Sequence, residues 1–129
     1  MLETLQGIET KPSETPAVRP QVKPPQDAPY LHLAEVSMGE HTIAFWDHRL
    51  HRSLPKGVTR LELFCVLHDE RGDAPLEKAR YWRSFVQSPV KIGFEESADK
   101  KTATYYARWA NENGDVGPWS SPVSKSVVV

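Results

Sequence analysis

The sequence has little that would staple it, anchor it or give it chemistry. Its single cysteine, Cys65, allows no intramolecular disulfide. It sits in the apolar run Leu61-Glu62-Leu63-Phe64-Cys65-Val66-Leu67, where a buried thiol is the expected state. No stretch approaches the roughly 20 apolar residues that span a bilayer. Residues Met1 to Glu9 have neither a basic start nor an unbroken apolar core, so they do not read as a secretory signal. The expectation is a chain made in the cytoplasm, either remaining there or reaching a particle or extracellular assembly without such a signal. Charge of one sign is also missing. Sixteen Lys and Arg stand against seventeen Asp and Glu, a net charge of −1, and no global field favours nucleic acid or an acidic membrane surface.

Catalytic and metal-binding motifs are missing as well. There is no Cys-x-x-Cys and no His-Glu-x-x-His, and the glycines are scattered at turns rather than gathered into a phosphate-cradling loop. The serines show no nucleophile elbow. Asp47, His48 and His51 form a compact group of ligand-type side chains, but a closed zinc site normally takes four ligands and this loop offers no further one at defined spacing. Adjacent Glu95 and Glu96 point to opposite faces of an extended chain, poor geometry for a paired acid and base. The reading is a non-enzymatic protein without a cofactor or small-molecule substrate. His32, His41 and His68 are expected to face solvent at strand ends.

What is present falls into two parts. Residues 1–29 read as an extended arm, because Pro12, Pro16, Pro20, Pro24, Pro25 and Pro29 interrupt a stretch with no apolar cluster of its own. Ahead of the prolines, Leu2, Leu5 and Ile8 are spaced by three, which fits either a frayed terminus or a docking peptide over residues 1–9 that orders on a partner. With Val18 and Val22 they are the arm's candidate docking side chains.

Residues 30–129 change to short runs of period-two alternation separated by turn residues, the pattern of an all-β sandwich. Strands are expected at Leu31–Val36, His41–Trp46, Thr59–His68, Tyr81–Val86, Val90–Phe94, Thr102–Ala110 and Ser121–Val129. In the third, Leu61, Leu63, Cys65 and Leu67 alternate with Arg60, Glu62, Phe64 and Val66, which puts the first set on the core face. Seven strands in about 100 residues match an immunoglobulin-like sandwich in size and number.

The C-terminal third narrows this further. The run Tyr105-Tyr106-Ala107-Arg108-Trp109-Ala110-Asn111-Glu112-Asn113-Gly114-Asp115-Val116-Gly117-Pro118-Trp119-Ser120 resembles the F strand, FG turn and start of the G strand of fibronectin type III domains. It is similar to fibronectin-III-like domains of bacterial proteins of unassigned function that end in a comparable Arg-Trp and Gly-Pro-Trp-Ser run. The resemblance implies a seven-stranded sandwich, no chemistry, and a core position for Trp46, which is placed like the family's B-strand tryptophan. Trp109 departs from the family, which usually has a smaller residue there. Either Tyr105 or Tyr106 could fill the family's tyrosine corner. Arg71-Gly72-Asp73 lies after the third strand, outside the loop where some family members carry an integrin-binding triplet.

Two candidate surfaces follow. If Leu61, Leu63 and Cys65 point inward, Phe64 points outward, and Tyr106 and Arg108 share that face, with Trp82 a candidate to join them. Aromatic residues flanked by arginine are enriched at protein interfaces; the same residues could instead form a stabilising ladder with Arg108 stacked on Trp119 or Trp82. The loop after the second strand carries Arg49, Arg52, Lys56 and Arg60, a basic patch open to an acidic partner. The overall expectation is a structural or adaptor module that docks into a larger bacterial or phage assembly through its arm and sandwich surface. The alternative is a free-standing domain that recognises a protein or glycan. The expected partner is a protein or another copy of the chain, with a glycan open under the alternative, rather than nucleic acid.

Overall fold

The alternation between residues 59 and 110 produces the longest strand pairing in the fold. The computed structural model describes residues 23–47, 49–51, 53–69, 72 and 74–129. Among them are seven strands: β1 (Tyr30–Ser37), β2 (Glu40–Trp46), β3 (Arg60–His68), β4 (Arg80–Phe85), β5 (Val90–Gly93), β6 (Thr102–Ala110) and β7 (Val123–Ser126). They form two antiparallel sheets, ordered β1-β2-β5 and β4-β3-β6-β7. The docking residues Leu2, Leu5, Ile8, Val18 and Val22, and also His48, Arg52, Arg71 and Asp73, lie outside the described residues.

The core lies between the sheets. Ile43 and Phe45 of β2 and Val90 and Ile92 of β5 pack with Leu61, Leu63 and Cys65 of β3 and with Ala103, Tyr105, Ala107 and Trp109 of β6. On β6, small and large side chains alternate along the inner face, so that Tyr105 and Trp109 fill the space Ala103 and Ala107 leave. Register confirms which residues share a face: Leu61 stands opposite Trp109, Leu63 opposite Ala107 and Cys65 opposite Tyr105. Burial raises the Cys65 thiol to about 12, so it is protonated and unreactive at neutral pH.

Four expectations about burial need correction. Trp46 is only partly buried and packs beside His32, with ring centroids 5.8 Å apart. The inward set of β2 is His41, Ile43 and Phe45, so Trp46 falls on the opposite face. His41, expected in solvent, is 1% exposed. Leu67 is 40% exposed although its parity is inward, because pairing with β4 ends at Cys65 and the last turn of β3 has a neighbour on one side only. Val66, assigned outward, is 7% exposed, so the outer face is covered there.

The final strand is shorter than the alternation suggested. Pro118 and Pro122 have no backbone N–H to give a ladder, and regular pairing with β6 is limited to Val123–Ser126. On either side the chain stays alongside β6 through single bonds, Ser120 N–H to the Ala107 carbonyl at 2.8 Å and Val127 N–H to the Lys101 carbonyl at 2.7 Å.

Candidate functional site

The outer face of the four-stranded sheet gathers Phe64, Tyr106 and Arg108. The Arg108 guanidinium carbon lies 4.5 Å from the Trp119 ring centroid and 5.1 Å from that of Phe64. Arg108 Nε also donates to Glu62 Oε1 at 2.9 Å, and the second Glu62 oxygen accepts from Arg60 at 3.1 Å. Phe64 meets Trp119 edge to face at 4.9 Å and Tyr81 at 5.6 Å. Tyr106 extends the group through Trp119, and its hydroxyl donates to the Ala74 carbonyl at 2.6 Å.

The site differs from the sequence reading at two residues. A register shift between Leu63 and Phe64 moves β4 by one residue, setting Tyr81 opposite Phe64. Trp82 therefore turns to the inner side and packs on the core edge, 5.8 Å from Phe94. Tyr81, 56% exposed, takes the outward place that sequence alone gave to Trp82. Nothing in the one-dimensional pattern marks such a bulge.

The stacked Arg108 makes a quantitative expectation. Single alanine changes at Arg108 and Trp119 should not be additive, and the double-mutant cycle in urea should give a coupling of about 0.5–1 kcal/mol. Additive losses would mean the two side chains stabilise the sheet independently.

Neither tyrosine hydroxyl bonds the β5–β6 connection. Tyr105 faces inward and its hydroxyl donates to His41 Nδ1 at 2.8 Å, while His41 Nε2–H donates to the Ser126 carbonyl at 2.9 Å. The carbonyl is an acceptor only, which fixes the Nε2–H tautomer and leaves Nδ1 to accept. One neutral imidazole thus joins β2, β6 and β7. Burial lowers the His41 pKa from 6.5, the hydrogen bond to Ser126 opposes that shift, and Lys125 adds to it.

The sign follows from linkage. With the folded value depressed, the unfolded chain takes up the proton first as pH falls. This contribution to stability is complete above about pH 6.5 and is lost progressively below it. Urea midpoints measured from about pH 7.5 to about pH 5 should fall more for the native chain than for His41→Gln. Parallel curves would remove His41 as the cause.

The opposite end of the sandwich carries the β2–β3 loop and the β6–β7 turn. Asp47 Oδ1 accepts from the backbone N–H of Arg49 at 2.8 Å and of His51 at 2.7 Å, and Oδ2 lies 3.3 Å from His51 Nδ1. The carboxylate thus shapes the loop. Of the basic residues, Arg49 and Lys56 are exposed, whereas Arg60 is drawn to Glu62 and to the Asn111 carbonyl. The patch is therefore divided. Among the described residues no group of three His, Cys, Asp or Glu side chains stands close enough to hold a metal ion, and no helix is long and apolar enough to cross a membrane.

Asn111 organises this end. Fully buried, it accepts at Oδ1 from the N–H of Asn113 and Asp115, both at 3.0 Å, and Gly114 takes the positive φ that the turn requires. Its Nδ2 donates to Asp115 Oδ2 at 3.2 Å and to the Lys23 carbonyl at 3.3 Å. Beside it, Pro25 lies so close to Gly117 that a Cβ on that glycine would stand 2.9 Å from the Pro25 Cβ. Residues 23–29 are thus laid against the sandwich, ending at a buried Pro29. Sequence reasoning placed Asn111 in the turn but carried no sign of its bond to the arm.

No family model and no curated protein matches the sequence. Solved structures do match in fold. One described as a myokine structure superposes with a TM-score of 0.56 at 13% identity, covering 81% of this chain and 100% of its own. The solution structure of the fibronectin type-III domain of human fibronectin type III domain containing protein 3 gives 0.55 at 9% identity, covering 87% and 93%. Strand order, sheet pairing and these superpositions agree: the chain carries a fibronectin-type-III-like β-sandwich.

Proposed function

We propose that this chain is a non-enzymatic binding module whose sandwich is the rigid body and whose residues 1–29 dock it into a larger protein assembly, such as a bacterial or phage particle. The observation that supports this most is the root of the arm. The Lys23 carbonyl accepts from buried Asn111, and Pro25 fits against Gly117. A fixed root gives the preceding segment a set point of departure, which reduces the ordering cost when Leu2, Leu5, Ile8, Val18 and Val22 meet a partner surface. The fold agrees with the reading at the coarser level, since fibronectin-type-III-like sandwiches such as the two it superposes on are commonly binding or structural modules.

A second reading, recognition of a protein or glycan through the outer sheet face, is favoured by Tyr81, which stands 56% exposed beside the Phe64 and Trp119 stack. One comparison separates the two. The full chain, a chain beginning at residue 23, and a Phe64→Ala/Tyr81→Ala chain are immobilised and exposed to extract of the native source, and retained proteins are identified by mass. The docking reading expects a protein held by the full chain and the double variant but lost from the shortened chain, with the melting temperature of the shortened chain unchanged. Retention by the shortened chain and loss from the double variant would transfer binding to the sheet face.

A further inference from the structure

The last strand has the shortest pairing in the larger sheet, and a buried imidazole is one of its ties. β7 meets β6 only over Val123–Ser126, of which Ser124, Lys125 and Ser126 are exposed. It stands at the edge, so β6 is the one strand it pairs with. Pro122 just before it has no backbone donor to lengthen the ladder. After it, buried Val127 and three backbone bonds fasten the chain end: Val127 N–H to the Lys101 carbonyl at 2.7 Å, Lys100 N–H to the Val127 carbonyl at 2.9 Å, and Gly39 N–H to the Val128 carbonyl. A further tie comes from the other sheet, where His41 Nε2–H reaches the Ser126 carbonyl at 2.9 Å.

His41 sits where a positive charge finds no counter-ion. On its own sheet it stands opposite Val36 of β1 and Ile92 of β5, and the Phe94 ring meets it edge-on at 4.9 Å. Its chain neighbour Glu40 points to the opposite face of β2. From the larger sheet come the Tyr105 hydroxyl of β6 and Lys125 of β7, and the charged one of these is a cation.

Protonation would therefore upset three things. It would place an ion on a side chain that is 1% exposed. It would turn Nδ1 into a donor, which can no longer accept from the Tyr105 hydroxyl. It would also set His41 against Lys125 across the contact that holds β7. The bond to the Ser126 carbonyl favours the charged ring, but burial outweighs it, so the fold holds this proton more weakly than the open chain does. A charged His41 is hydrated only when something in front of it opens, and β7 has the fewest pairs to break.

We propose that Val123–Val129 is an acid-released strap: one proton taken up by His41 favours a state in which this segment leaves β6 while the other six strands stay paired. Release bares the edge of β6 from Thr102 to Tyr105. The device needs neither the arm nor a partner.

Amide exchange on the full chain tests it, expressed as protection factors so that the intrinsic pH dependence drops out. The reporters are the N–H groups of Gly39, Lys100 and Val127, whose bonds break when the strap leaves. At about pH 7.5 they should be at least about tenfold less protected than the slowest amides of the β3–β6 ladder, as expected for a local rather than a global opening. By about pH 5.5 they should lose protection several-fold further, up to about tenfold, the effect of one proton bound in the open state with the ordinary histidine pKa. In His41→Gln the difference between the two pH values should vanish. Reporters as well protected as the β3–β6 ladder, reporter protection that does not change with pH, or an equal loss in His41→Gln would overturn the proposal. The first two outcomes are read on the native chain and need no variant.

Discussion

Trp109→Ala should lower the unfolding free energy by about 3–5 kcal/mol, whereas Trp46→Ala should cost only about 1 kcal/mol. Trp109 is 1% exposed between Phe45 and Leu61, so its removal opens a cavity that two paired sheets cannot collapse to fill. Trp46 sits at the end of β2 on the face away from the core and keeps part of its surface in water. Urea unfolding of both variants with a common slope measures the difference directly. Equal losses, or a larger one at position 46, would mean that β2 faces the other way and that the core described above is wrong.

Asn111→Ala should cost about 2–3 kcal/mol, more than a surface turn normally would. Two half-buried N–H groups, of Asn113 and Asp115, lose their acceptor, and the Lys23 carbonyl loses its donor. Alanine cannot replace any of these bonds. The change should also free the root of the arm, because the Asn111 side chain is what ties Lys23 to the turn. Along with the lower urea midpoint, the backbone amide signal of Gly117, which lies against Pro25, should shift. A destabilised chain with an unmoved Gly117 signal would confine Asn111 to the turn and leave the arm held by packing alone.

The two aromatic side chains show how far the sequence could be read. The strand count, the turn glycine at position 114, the buried thiol and the shared face of Phe64, Tyr106 and Arg108 follow from period-two alternation, which is a local property. The parity of β2 did not. His41 is polar, and its hydrogen-bond partners, Tyr105 and the Ser126 carbonyl, are 64 and 85 residues away, so the feature that makes it an interior residue is invisible locally. Misplacing His41 by one face also misplaces Trp46. The bulge beside Phe64 is another long-range product, a mismatch in pairing between β3 and β4, and it alone decides that Tyr81 rather than Trp82 joins the outer face. A cleft lined by Lys23, Arg49 and Trp109 was hidden for the same reason, because its walls come from three separate stretches of the chain that only the fold brings together.

The proposed docking segment is the one before the anchored root. Amide hydrogen exchange tests it most directly, measured over residues 1–22 in a verified monomer and again in the partner-bound form. The few apolar side chains of that segment cannot bury enough area alone to offset chain entropy, and its prolines donate no backbone hydrogen bonds. Fast exchange is expected in the monomer and slowed exchange over 1–22 in the complex, with the sandwich strands unchanged. Strong protection of 1–22 already in the monomer, or exchange there that stays fast when the partner is bound, would contradict it.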